Sequence, residues 1–195
     1  MIGAHTAFII RQRLSGTWAF IHINKCGGSS IERLCGLPRM HDTALQRRRA
    51  VGDKRWASMF KFSVVRNPYE RIGSLYRYRS KNNRAGMGDG HISFDDWVQA
   101  AIVDKNPRYH DKPLMFAPAH QWLADEAGVL MVDTVIRLEE IDTAWPAIAA
   151  RIGAPPVMAH ENRTESAGPM PMSDKARAAI ARAYALDFET FGYPT

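Results

Sequence analysis

Residues 17–30 read TWAFIHINKCGGSS, and this stretch decides the fold. Thr17 to Ile23 is a short aromatic and β-branched run, the composition of a buried strand, and Asn24-Lys25-Cys26-Gly27-Gly28 stops it with a glycine turn. Ser29 then begins a helix, Ser-Ser-Ile-Glu-Arg-Leu-Cys, closed by Gly36 and Pro38. A strand that runs into a glycine loop and opens a helix offers what a phosphate needs: close backbone approach, amides at a helix start and two hydroxyls, with Lys25 adding a full charge. The lysine precedes both glycines, whereas GxxxxGK[ST] places it after the second, so this is not a Walker A loop and a kinase or NTPase is disfavoured.

The layout recurs downstream. Phe60 to Val65 (FKFSVV) reads as a strand, and Asn67-Pro68 supplies the N-cap and first turn of a helix over Tyr69 to Arg79. Two such units predict an α/β fold with a central, mostly parallel sheet flanked by helices. Arg66 stands at the carboxyl end of the second strand, where nucleotides bind in open α/β sheets, and Ser74 lies about two turns into the helix that follows. Two anion sites at neighbouring strand ends suit a ligand with phosphate groups at both ends.

Beyond these units, Ser93 to Asp104 and Ala117 to Ala127 read as helices and Asp133 to Leu138 as a strand. Glu139 to Ile152 follows as a helix in which Pro146 marks a kink or a new start, and Ser173 to Phe188 is the last helix. The polar, glycine-rich Ser80 to His91 is expected to be a mobile loop, and Ala154 to Met172 an ordered one. There is no internal repeat and no low-complexity tract.

A chain of 195 residues, 46% apolar, is long enough for one sizeable core, and a single domain over residues 1–195 is expected. The net charge of +6 and pI of about 9.5 favour an anionic partner, although excess arginine serves equally well to solvate helix faces. Cys26 and Cys35 are the two cysteines, and no His pair stands near them at zinc-ligand spacing, so neither a disulfide framework nor a metal site is expected. The opening MIGAHTAFIIRQRLSG has an apolar patch too short for a secretory or membrane segment, which points to a cytoplasmic protein with no membrane anchor.

FIHINKCGGSSI resembles the 5′-phosphosulfate loop of sulfotransferases that use 3′-phosphoadenosine-5′-phosphosulfate (PAPS), often written Pro-Lys-x-Gly-Gly-Thr/Ser-Ser. FKFSVVRNPYERIGSLYRYR resembles their 3′-phosphate motif, in which an arginine ends a strand and a serine lies eight residues on. The nearest likeness is to the carbohydrate sulfotransferases of the heparan 2-O and chondroitin types and their small bacterial relatives. It continues in HDTA (His41 to Ala44), VIRLEEI (Val135 to Ile141) and DFETFGY (Asp187 to Tyr193).

The resemblance implies a P-loop-like three-layer fold and assigns the donor contacts. Lys25 would hold the 5′-phosphate and bridging oxygen, with Cys26, Gly27, Gly28, Ser29 and Ser30 completing the cradle, while Arg66 and Ser74 would hold the 3′-phosphate. A late basic and hydroxyl pair of the family is matched by Arg163-Thr164. Asn24 stands where the family has proline and Cys26 where it commonly has threonine, so position 26 brings no hydroxyl. The acceptor would be a hydroxyl-bearing molecule, a neutral or acidic saccharide first, and dimerisation could complete a minimal acceptor site.

Sulfuryl transfer requires in-line attack of a hydroxyl on sulfur, stabilisation of the leaving phosphate oxygen and a base for the hydroxyl proton. Lys25 suits the second task. His41 suits the third: imidazole titrates near neutrality, and His41 lies between the two phosphate motifs, where the heparan 2-O type carries its catalytic histidine. The competing expectation is that His41 merely precedes the helix at Thr43. His22, on the first strand, reads as a core histidine, His120 and His160 as groups that could face substrate, and Glu32 as a partner of the helix dipole.

The run Gln46-Arg47-Arg48-Arg49, with Lys54 and Arg55, either attracts an acidic sugar or solvates a helix face, and Tyr69, Tyr76 and Tyr78 are expected to pack. The rival functions are a nucleotide or small-molecule kinase, a basic nucleic-acid-binding protein, and a sulfotransferase fold that binds nucleotide without turnover. The kinase lacks a Mg²⁺ carboxylate after a strand, and no nucleic-acid-reading motif is present. Lys25, Arg66 and Ser74 together argue against the third.

Overall fold

The apolar runs predicted as strands form one parallel sheet in a computed structural model that describes residues 3–157 and 168–195. In chain order the helices and strands begin with α1 (Ala4–Ser15), β1 (Trp18–Ile21), α2 (Gly28–Leu34), α3 (Ala44–Val51), α4 (Asp53–Ser58), β2 (Phe60–Val65) and α5 (Pro68–Lys81). There follow α6 (Phe94–Val98), α7 (Pro113–Phe116), α8 (Ala119–Leu123), β3 (Thr134–Arg137), α9 (Ile141–Ile152), α10 (Asp174–Ala183) and α11 (Ala185–Phe191). The described residues fall into two compact units, 3–65 with 119–157 and 66–118 with 168–195.

The first unit holds the sheet, in the order β1-β2-β3, with Phe20 opposite Phe62 and Val64 opposite Ile136. Side chains alternate across a strand. Phe20, Phe60, Phe62, Val64 and Ile136 accordingly share a core with Ile31 of α2 and with Trp145, Ile148 and Ala149 of α9. On the other face, the Lys61 ammonium lies 5.9 Å from the centre of the Trp56 ring of α4, and the Ser63 hydroxyl donates to the Ile21 carbonyl at 2.7 Å. Asp133 ties β2 to the start of β3: its carboxylate accepts from the Lys61 amide at 2.7 Å and lies 3.2 Å from the Lys61 ammonium.

The second unit is helical. Tyr69, Ile72 and Leu75 of α5 pack with Phe94 and Trp97 of α6, with Ile180 of α10, with Phe188 of α11 and with Tyr184 between those two helices. Asn67 caps α5 by accepting from the Tyr69 amide, with Pro68 in the first turn, as the sequence implies. Arg71 is buried at 1% exposure and donates to the carbonyls of Ala117 at 2.8 Å and Met115 at 3.4 Å, so this part of the motif braces the chain.

Several expected elements change shape. Residues 80–91, expected to be mobile, contain two short 3₁₀ turns and a fully buried Met87 that pins the loop to the core. The helix expected from Ser93 passes into a π-helical turn at Gln99–Val103. The one expected from Ala117 shortens to α8, because the Asp125 carboxylate accepts from the amides of Ala127 and Val129 and turns the chain. The last helix breaks at Tyr184, whose buried hydroxyl donates to the Phe116 carbonyl at 2.7 Å. Pro146 sits inside α9 without ending it. Among the described residues no helix is long and apolar enough to cross a membrane.

Candidate active site

After β1 the chain stays buried through His22, Ile23 and Asn24 before it reaches the glycine turn. Lys25 adopts the left-handed conformation at φ 66°, and Gly27 follows with φ 78°. A side chain is disfavoured in that region, so Lys25 is held there against its own preference. At Gly27 a Cβ would also press the end of the Leu138 side chain, at 2.6 Å from Cδ1, but it is the left-handed φ that calls for glycine there. Cys26 turns inward at 1% exposure and donates its thiol to the Asn24 carbonyl at 3.6 Å. Position 26 therefore offers no side chain to a ligand. Ser29 and Ser30 are half-buried in the first turn of α2, and Arg39 Nη2 donates to the Ser29 hydroxyl at 3.4 Å.

His22 connects this turn to His41. A Cβ on Gly28 would run into the His22 ring, so the second glycine makes room for the imidazole. The same residue's carbonyl lies 3.3 Å from His41 Nδ1, and the two rings are 4.5 Å apart between centroids. A carbonyl only accepts, so Nδ1 carries the hydrogen and Nε2 keeps its lone pair. The edge of Trp122 from α8 closes on His41, with centroids 6.3 Å apart. Burial, and then the neighbouring His22, push the His41 pKa below the usual imidazole value, with Glu32 and the His22 carbonyl opposing them. At neutral pH the ring is a neutral base. Thr43, two residues on, caps α3 in a capping box with Gln46, so His41 precedes that helix without capping it.

Glu32 is more than a dipole partner. It is buried at 6% exposure, accepts from the Met40 amide at 3.0 Å and approaches His22 Nδ1 to 2.7 Å. His22 is a core histidine, as expected from the sequence, although β1 ends one residue before it, and it stacks on Phe20.

In the second unit, Arg66 directly follows the end of β2 and Ser74 lies half-buried on α5. Arg66 Nη2 is 3.4 Å from Glu70 Oε2. Residues four apart share a helix face, so Glu70 and Ser74 lie along one line on α5, with Arg66 at its head. Tyr69 and Tyr76 pack, on Phe188 and on Phe94 with Trp97, while Tyr78 is exposed at 41%.

The basic run is largely engaged. Arg47 is buried against Asp42 and the Phe8 ring, Arg48 pairs with Asp53 at 2.6 Å and Arg49 with Glu126 at 2.6 Å. Arg55 donates to the carbonyls of Arg13, Leu14 and Gly16, which end α1. His120 is buried on α8. Arg163, Thr164 and His160 lie outside the described residues.

Sequence reading alone passes over Arg39, Glu70 and the grip of Glu32. Glu70 was findable as the residue four after Arg66, whereas Arg39 sits in an irregular loop with no periodic signal.

Comparison with known proteins identifies the family of the chain. No curated protein and no solved structure matches the chain. The family model described as the sulfotransferase family matches residues 17–194, from just before β1 to beyond α11, and the chain belongs to that family.

Proposed function

We propose that this sulfotransferase moves the sulfuryl group of PAPS to a hydroxyl, that of a carbohydrate in the first instance, within one domain spanning residues 1–195. The observation that carries the reading is the turn after β1, where Lys25 is held in a left-handed conformation ahead of Gly27 and two serine hydroxyls. A lysine, backbone amides and hydroxyls in that order form a cradle for a phosphosulfate. The family generally draws on PAPS, and the family pattern assigns Lys25, Cys26, Gly27, Gly28, Ser29 and Ser30 to the 5′ end. Arg66 and Ser74 are assigned to the 3′-phosphate, and Arg163 and Thr164 to the donor as well. The carbohydrate acceptor rests on the likeness to the heparan 2-O and chondroitin branch.

The acceptor oxygen attacks sulfur in line, the bond from sulfur to the bridging phosphate oxygen breaks, and 3′-phosphoadenosine-5′-phosphate (PAP) leaves. Lys25 neutralises the charge that forms on that oxygen. The acceptor's proton passes to His41 Nε2, the ring nitrogen left free when Nδ1 engages the His22 carbonyl. The depressed pKa of His41 keeps that nitrogen able to accept at neutral pH. No metal enters this scheme.

Calorimetric titration with PAP beside ATP and AMP, on the wild type and on Lys25→Ala and Arg66→Ala, tests the donor assignment. Selective PAP binding that collapses in both variants supports it and opens an acceptor screen with PAPS. Equal binding of ATP, or none of PAP, removes it.

A further inference from the structure

Glu32 occupies a place that stability alone explains poorly. A buried carboxylate is costly unless its oxygens are matched, and a buried ion pair stabilises a fold less than apolar packing of the same volume. Here a single oxygen, Oε1, reaches His41 by two routes. One runs through the main chain: Oε1 accepts from the amide of Met40, the residue before His41, at 3.0 Å. The other runs through His22: its Nδ1 lies 2.7 Å from Oε1, at ion-pair distance though bent from hydrogen-bond alignment, and its carbonyl meets His41 Nδ1 at 3.3 Å. The His22 ring also fills the space that Gly28 leaves open, so the same histidine touches the glycine turn.

Resting on the sulfotransferase reading in which His41 is the base, we propose that Glu32 is its positioning residue. The carboxylate fixes the ring through Met40 and His22, and offsets the charge that His41 acquires with the acceptor's proton. The groups that act on His41 are His22 at the end of β1, Glu32 on α2 and Arg39 in the preceding loop, with Trp122 of α8 at its edge. Asp42, the next residue in the chain, is engaged by Arg47 and His5. Of the groups acting on His41, Glu32 is the one that favours the protonated ring by its negative charge, against burial, His22 and Arg39.

Glu32→Gln tests this, because it keeps the shape and an oxygen for the Met40 amide while removing the charge. NMR titration of the His41 ring in the full chain should show its midpoint falling by roughly half a pH unit or more in the variant. Glu32→Asp should recover part of that shift, and PAP affinity should stay within about twofold in both. The wild-type ring should carry its hydrogen on Nδ1, and hydrogen on Nε2 instead would break the route through His22 even where a variant does not fold. A midpoint unmoved by Glu32→Gln, or a wild-type ring protonated on Nε2, overturns the positioning role while PAP binding leaves the donor reading standing. Failure of the wild type to bind PAP overturns the reading beneath it, whatever His41 does.

Discussion

Arg66 at the end of β2 and Glu70 on the first turns of α5 form an ion pair, Nη2 to Oε2 at 3.4 Å, so the arginine assigned to the 3′-phosphate is already facing a carboxylate. The pair is partly exposed, and pairs of that kind are worth under about 1 kcal/mol. A phosphate should therefore displace the carboxylate at small cost. Glu70→Gln is expected to tighten PAP binding by about two- to fivefold. Arg66→Ala removes charged hydrogen bonds worth about 1.5–3 kcal/mol and should weaken it by roughly tenfold or more. Calorimetry on the two variants checks both directions.

Lys25 carries both a charge and an unfavourable backbone conformation, and the two can be separated. Lys25→Ala should lower kcat by about a hundredfold, the effect of losing one electrostatic donor worth about 3 kcal/mol. Lys25→Gly should lose as much activity yet be more stable than the alanine variant by about 1 kcal/mol, because glycine accepts φ 66° freely. Thermal unfolding of the pair reads the difference.

Gly28→Ala drives a methyl into the His22 ring. Overpacking of this kind costs about 1–3 kcal/mol. Because His22 supports His41, the variant should lose activity beyond what its fall in melting temperature explains, measured well below that temperature.

The lowered pKa of His41 fixes the sign of a stability effect. Below the ordinary imidazole value of 6.5 the unfolded chain takes up a proton that the folded ring resists, so the unfolded state is favoured as pH falls through that value toward the folded one. Urea midpoints at pH 7.5 and about 5.5 should fall further in the wild type than in His41→Gln. An equal fall would mean that His41 titrates as freely when folded as when unfolded.

Where local rules suffice, the sequence predicts the structure closely. FKFSVV is a strand over Phe60–Val65 and Asn67-Pro68 starts α5, because an uninterrupted apolar run and a capping pair act over a few residues. The glycine turn is legible for the same reason. The expected mobile loop became anchored because Met87 reaches the core with Ala85 packed beside it, and the final helix breaks because the Tyr184 hydroxyl finds the Phe116 carbonyl far along the chain. Glu32 shows the same limit within the site: its partners, His22 and Met40, lie ten residues before it and eight after, joined by loops with no period to read.

The arginine run on α3 has a consequence for how the protein meets polyanions. Arg47, Arg48 and Arg49 each face an acid of the same unit, so the most basic stretch of the chain is a mosaic of opposed charges rather than a positive patch. Such potentials cancel over a Debye length, about 10 Å at 0.1 M salt. An acidic saccharide would be selected on contact here and not drawn in from a distance: removing Arg49 and Glu126 together should scarcely change retention on a heparin column, whereas neutralising Arg49 alone unmasks the carboxylate and should shorten it.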